Sequence, residues 1–116
     1  MSDAYHQFRE GQKRLRKGMT AQATVPLEKA KKLEPGKASI REALGIAYFR
    51  IARWADAEAE FRKLLELSPV NDYAHYALGR CLEKQGRMHE ANGHFKLASS
   101  LQPDSEQYRA RIKELD

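Results

Sequence analysis

Cysteine is nearly absent from this chain. Its one thiol, Cys81, can form neither an internal disulfide nor a metal-binding pair, and such usage fits a reducing compartment. Residues 1–6 also lack the basic-then-apolar pattern of a secretory leader, so a cytoplasmic location is expected. No apolar run approaches the length of a membrane span, and no membrane partner is expected. Both common glycine-rich phosphate loops are missing, and no Ser-His-Asp order suggests itself. His89 and His94 stand five apart, which puts them on different helix faces rather than at ligand spacing. These absences predict no catalysis, no cofactor and no metal. Strand formers are scarce while Ala, Leu, Glu, Lys and Arg dominate, which predicts an all-α chain of 116 residues, one domain with its own core.

Proline is sparse too, and its placement is regular. Pro35, Pro69 and Pro103 are 34 residues apart. The same interval relates Gly11, Gly45 and Gly79, then Ala23, Ala57 and Ala91, then Leu27, Phe61 and Phe95. It recurs in Ala30, Leu64 and Ala98, and in Leu33, Leu67 and Leu101. Matching columns at one fixed period are the mark of a repeat architecture. Between the columns lie breaks at Gly18, at Pro35-Gly36, weakly at Ala52-Arg53, at Pro69, at Gly86 and at Pro103. The segments between them have ordinary helix lengths.

Each repeat therefore reads as a helical hairpin. The glycines of the first helix are expected to let Ala23, Ala57 and Ala91 of the second approach closely. Leu44 and Tyr48 share one face at i and i+4, and Phe61, Leu64, Leu65 and Leu67 form an apolar stripe on the second helix. Such faces can be buried only by stacking hairpins. The first repeat departs from the pattern, with Glu10 and Arg14 where the others have Leu44 or Leu78 and Tyr48 or Leu82. A polar outer face suits an end repeat. Pro26, inside the second helix of that repeat, should kink the helix or shift its start.

The spacing Leu44-Gly45-x-x-Tyr48, Ala57, Phe61 and Pro69, echoed by Leu78, Gly79, Leu82, Ala91, Phe95 and Pro103, resembles the tetratricopeptide repeat family. The resemblance covers three repeats, at about 4–37, 38–71 and 72–105. It implies a right-handed α-α superhelix of about seven helices, forming a single domain over 1–116. The last helix is a cap at about 105–115, with Tyr108, Ile112 and Leu115 on one face and Asp104 or Ser105 as its N-cap.

The resemblance further implies that the first helices line a concave groove holding an extended or helical peptide. On this register the inward positions are Tyr5, Phe8, Arg9, Gln12, Leu15 and Arg16, then Ser39, Glu42, Ala43, Ile46, Phe49 and Arg50. The third repeat adds Tyr73, Tyr76, Ala77, Arg80, Glu83 and Lys84. The set mixes aromatics with arginine, the side chains most enriched at binding hot spots. Tyr5, Phe8, Phe49, Tyr73 and Tyr76 are the expected anchors, and Arg9, Arg50, Arg80 and Lys84 the expected partners of acidic groups. The family's carboxylate-clamp positions correspond to Phe8, Gln12, Ala43, Tyr73 and Ala77. None of these supplies the clamp's charge, so a clamp of that kind is not expected. The function implied is a scaffold or adaptor that binds another protein.

Charge points to a second reading. Residues 1–37 hold nine Lys and Arg against four Asp and Glu, whereas the remaining segments are balanced, so the net +5 lies wholly in the first third. Arg9, Lys13, Arg14, Arg16 and Lys17, with Lys29, Lys31 and Lys32, could contact a polyanion. Nucleic acid is the less expected partner, because Phe8 alone among aromatics is interleaved with that run. End-to-end stacking into homo-oligomers is open to repeat chains with an imperfect cap. Cys81 is expected to be a buried, inert thiol, and Trp54 a packing residue at the hairpin turn.

Overall fold

The computed structural model describes residues 2–115 and contains seven helices and no strand among them. These are α1 (Asp3–Arg16), α2 (Thr20–Leu33), α3 (Ala38–Arg50), α4 (Trp54–Leu67), α5 (Asp72–Lys84), α6 (Met88–Leu101) and α7 (Glu106–Arg111). They stack in chain order, α1 on α2, α3 on α4 and α5 on α6, with each hairpin docked on the next. The result is elongated, 49 × 24 × 21 Å. No helix is long and apolar enough to cross a membrane.

Within a hairpin the turn is the same each time. Gly18, Ala52 and Gly86 occupy one column and all have positive φ, at 77°, 62° and 79°. The next residue closes back across the turn, Met19 N–H to Arg14 O, Arg53 to Tyr48 and Arg87 to Leu82, each at 2.9 Å. This is the six-to-one bond of a Schellman ending, which satisfies carbonyls the helix end would leave bare. Ala52 adopts the left-handed conformation without glycine's freedom, which is why the middle turn reads weakly in the sequence.

The glycines work differently from the expectation. A Cβ on Gly45 would lie 2.6 Å from Phe61 Cζ, one on Gly79 2.5 Å from Phe95 Cε1, and one on Gly11 2.5 Å from Leu27 Cδ2. The atoms each glycine admits are therefore the large side chains of the second helix, not the small residues Ala23, Ala57 and Ala91. Those alanines are fully buried one turn earlier. Leu27, Phe61 and Phe95, at 0–1% exposure, are the centre of each hairpin, flanked by Ala30, Leu64 and Ala98. Leu33, Leu67 and Leu101 are exposed, so Leu67 does not belong to the buried stripe. It lies about 60° further round α4 than Leu64, at the final residue of the helix.

Pro26 neither kinks α2 into two pieces nor moves its start, since the helix runs from Thr20 through Leu33. The proline removes the N–H that would bond Gln22 O, and Arg14 Nη1 donates to that carbonyl at 2.9 Å instead. Arg14 is held in place by Glu10 at 3.1 Å. The two departures of the first repeat thus explain each other.

Charged networks join successive hairpins. The buried Glu60 carboxylate of α4 takes Arg41 Nη1 at 3.0 Å and Lys31 Nζ of α2 at 2.9 Å. Lys31 also bonds Glu28, which accepts from the Tyr48 hydroxyl. Burial alone would lower the Lys31 pKa, but its bonds to Glu60 and Glu28 outweigh that and raise it. Glu58 of α4 reaches forward to Gln85 and Arg87, each at 2.9 Å. The cap ends earlier than expected. Ser105 caps α7, but Ile112 is already extended, and the side chain of Asn92 exchanges two 2.8 Å bonds with the backbone of Lys113. That pairing diverts the chain from helix, so Leu115 is exposed rather than on a seam with Tyr108.

Two stability experiments test this packing. Gly45→Ala should lower the stability by about 1–3 kcal/mol despite alanine's better helix propensity. Gly93→Ala, inside α6 with nothing within 4 Å, should raise it by about 0.5–1 kcal/mol. Equal effects on thermal unfolding would refute the seat described here. In a double-mutant cycle, Arg14→Leu should cost about 1 kcal/mol in the native chain and less beside Pro26→Ala, where position 26 regains its N–H. Additive losses would show that the bond to Gln22 O contributes nothing.

Candidate functional site: a trough across the first helices

With one face of α3 and α5 spent on Leu44, Tyr48, Leu78 and Leu82, the opposite face is left open. Two depressions run along it. One, of about 460 Å³, is lined by Phe8, Gln12, Leu15 and Arg16 of α1 and by Ser39, Glu42, Ala43, Ile46 and Arg50 of α3. The other, of about 320 Å³, is lined by Ile46, Phe49 and Arg50 with Tyr73, Tyr76, Ala77 and Arg80 of α5. Phe61 and Gln107 complete it. Ile46 and Arg50 belong to both, so the two form one trough.

Phe8, Gln12, Arg16, Glu42, Ile46, Phe49, Arg50, Tyr73, Tyr76 and Arg80 thus come together as the repeat register anticipates. Tyr5, Arg9 and Lys84 do not line either depression. Tyr5 borders a separate hollow with Glu34, Lys37 and Ile40, and the Arg9 guanidinium stands 6.0 Å over its ring. Lys84 Nζ lies 5.5 Å over the ring of Trp54, whose edge meets Phe49 at 4.9 Å.

Tyr76 is largely a core residue. At 8% exposure it packs 5.0 Å from Tyr108 and 6.0 Å from Phe95, and its hydroxyl accepts from Gln107 and Arg80. Burial would raise its pKa, but those two donors and the neighbouring Arg80 charge lower it. Tyr73 is the accessible aromatic, 37% exposed, with its ring against Phe61. Burial and then Glu42 raise its pKa. Arg80 is committed internally. Its guanidinium lies 5.4 Å over Phe49, and its Nε is 3.1 Å from Glu83 Oε1. That contact is an ion pair by distance, but the buried Nε is not aligned for a hydrogen bond. Glu83 also receives Arg111 at 3.2 Å.

Two lining residues escaped the sequence reading. Gln107 lies 34 residues after Tyr73, so extending the period into the cap would have found it. Phe61 reaches the floor only because Gly45 lets its ring through. A further column also went unseen: Arg41 and His75 hold the carbonyls of Pro35 and Pro69 at 3.0 Å, and Arg109 holds that of Pro103.

His75 consequently faces away from the trough rather than into it. Its Nε2 bears the hydrogen given to Pro69 O, and its Nδ1 meets His94 Nδ1 at 3.1 Å. The pair occupies the columns filled by Arg41 and Glu60 in the preceding repeat. Burial, then His75, then Arg62 lower the His94 pKa, opposed by Glu90. Cys81 is fully buried, and burial pushes its thiol up to about 12, as befits an inert packing residue. No cluster of three or more potential metal ligands exists among the described residues.

The stacked hairpins with a capping helix define an α-helical-hairpin solenoid. Residues 42–106 match the tetratricopeptide repeat family model, and the chain belongs to that family. Its solved structural neighbours show the same right-handed superhelix. The first repeat domain of Spaghetti (RPAP3), bound to the HSP90 peptide SRMEEVD, is 19% identical with a TM-score of 0.89, over 95% of this chain and 87% of that one. The Arabidopsis OM64 repeat domain is 19% identical with a TM-score of 0.88, over 94% and 90%. MamA MSR-1 C2 is 26% identical with a TM-score of 0.89, over 96% of this chain and 64% of that one. No curated protein matches the sequence.

The histidine pair makes a pH test. A folded-state pKa below the unfolded value means the unfolded chain binds more protons as pH falls through the ordinary histidine value of about 6.5. Stability should therefore be full above that pH and decline below it. His94→Gln should flatten the decline between about pH 6.5 and 5 in chemical denaturation. An unchanged slope would remove His94 from the account.

Proposed function

We propose that the chain is a non-catalytic protein-interaction module, a cytoplasmic adaptor, which holds a peptide segment of a partner in the trough across α1, α3 and α5. The observation that carries this reading is the continuity of the two depressions through Ile46 and Arg50. Aromatic and aliphatic side chains floor the trough, and arginines stand at its edge. The neighbour solved with an HSP90 peptide supports it at the level of fold. Apolar anchors would enter between Phe49 and Tyr73, and polar groups would meet Gln12, Arg16 and Arg50. Lys13, Arg16 and Lys17 are exposed and make no ion pair among the described residues, which favours polyanion binding by the first repeat as the second reading.

Affinity capture with Ile46→Ala and Tyr73→Ala together tests the first reading. Tyr73 is exposed and Ile46 half-buried, so the variant should keep its helical circular dichroism while losing the partner. Undiminished capture by the folded variant would sink the groove. For the second reading, a gel shift with mixed RNA and DNA at low salt should show binding that weakens steeply with added salt.

A further inference from the structure

Spacing along the chain matches His94 with His89, and those two face different ways. Folding matches it instead with His75 of α5, across the third hairpin. The Nδ1 atoms of His75 and His94 are 3.1 Å apart and the ring centroids 5.4 Å, so the two nitrogens face each other edge to edge. In the preceding repeat the same columns hold Arg41 and Glu60, an ion pair at 3.0 Å. The third repeat keeps the bond to the proline carbonyl, His75 Nε2 to Pro69 O at 3.0 Å, but exchanges the ion pair for two imidazoles. With the His75 hydrogen spent on Nε2, its Nδ1 presents a lone pair, and the hydrogen between the rings belongs to His94. Beside the pair lies a hollow of about 420 Å³, on the side away from the trough and walled by Leu65, Glu66 and Leu78. Arg62 also borders it, but Glu58 and Glu90 already pair with that charge.

The geometry points to a binding site for a divalent transition-metal ion, held by the Nδ1 atoms of His75 and His94 and open to water at its other positions. Imidazole nitrogen suits zinc, nickel and copper. Bonds of about 2.0–2.1 Å to two nitrogens, at an angle of about 100°, put those nitrogens about 3.1 Å apart, which is the separation here. The ion replaces the hydrogen between the rings, off the line joining the nitrogens, and each ring turns to aim its lone pair at it. That hydrogen is taken up at His94 Nε2, so both imidazoles stay neutral and no net proton is released. His75 is already oriented for the task, because a metal-bound histidine characteristically gives its other N–H to a carbonyl or carboxylate. Burial, then His75 and Arg62, hold the His94 pKa below its ordinary value, which keeps that ring an uncharged base at neutral pH. Water rather than Glu66 fills the remaining positions, since Glu66 pairs with Lys63 at 3.1 Å. The site ties α5 to α6 within one hairpin and owes nothing to what the trough holds.

Isothermal titration of the whole chain with zinc, nickel or copper(II) chloride alone tests this. One ion should bind per chain, copper(II) tightest in keeping with the general order of divalent-metal affinities. Magnesium, which prefers oxygen ligands, should not bind. His75→Gln and His94→Gln should each weaken binding more than about tenfold, since even an outer partner of a metal ligand is worth that much. His89→Gln, exposed on α6, should leave it unchanged. The double exchange His75→Arg with His94→Glu rebuilds the preceding repeat's ion pair, so it should keep the native circular dichroism and bind no metal. In imidazole 15N spectra, zinc should shift the His94 hydrogen from Nδ1 to Nε2, which an ion bound elsewhere on the surface would not do. Absence of saturable binding, its retention in either glutamine variant or in the double exchange, or an unchanged His94 tautomer would overturn the proposal.

Discussion

Each hairpin in this chain closes by setting a large side chain onto a backbone position that has none. Leu27, Phe61 and Phe95 press against Gly11, Gly45 and Gly79 at distances no Cβ could share. This seat fixes how near the two helices come and at which level they cross. It also decides which face of the first helix is consumed. Leu44, Tyr48, Leu78 and Leu82 turn toward neighbouring helices, and Glu42, Ile46, Phe49 and Arg50 of α3 are left on the open side. The trough is thus the unspent side of helices whose other sides are fully occupied.

Polar contacts set the relation between hairpins. Glu60 draws Lys31 and Arg41 together from two repeats, and the half-buried Glu58 ties the second repeat to Gln85 and Arg87 of the third. A buried carboxylate with two cationic partners tolerates little displacement, since losing either would leave charge unpaired in a poorly solvated place. These joints hold α1, α3 and α5 at the spacing that makes their open faces a continuous surface.

The period was legible because it rests on single residue types with local causes: glycine at the seat, glycine or its substitute at the turn, proline after the second helix. Of the thirteen residues that the register puts on the inner face of the first helices, ten line the trough. What stayed hidden depends on reach between units. Arg14 looks like a surface charge until the carbonyl freed by Pro26 is placed beside it. Tyr76 looks like an anchor until Tyr108 and Phe95 are seen to cover it. His75 and His94 lie nineteen residues apart and meet only across a hairpin. The early end of α7 depends on Asn92, a residue of another helix, and no local signal within residues 106–115 announces it.

The pairing of Arg14 with the carbonyl freed by Pro26 also bears on the direction of the stack. Near-identical units invite a slip in which one hairpin docks where its neighbour belongs, displaced by a whole repeat. The first unit cannot take an inner berth, because Glu10 and Arg14 would then stand where Leu44 and Tyr48, or Leu78 and Leu82, meet an adjoining hairpin. Its own architecture labels it as the beginning. The order of the three hairpins is marked in the chain by that one mismatch, and with it the polarity of whatever surface they jointly present.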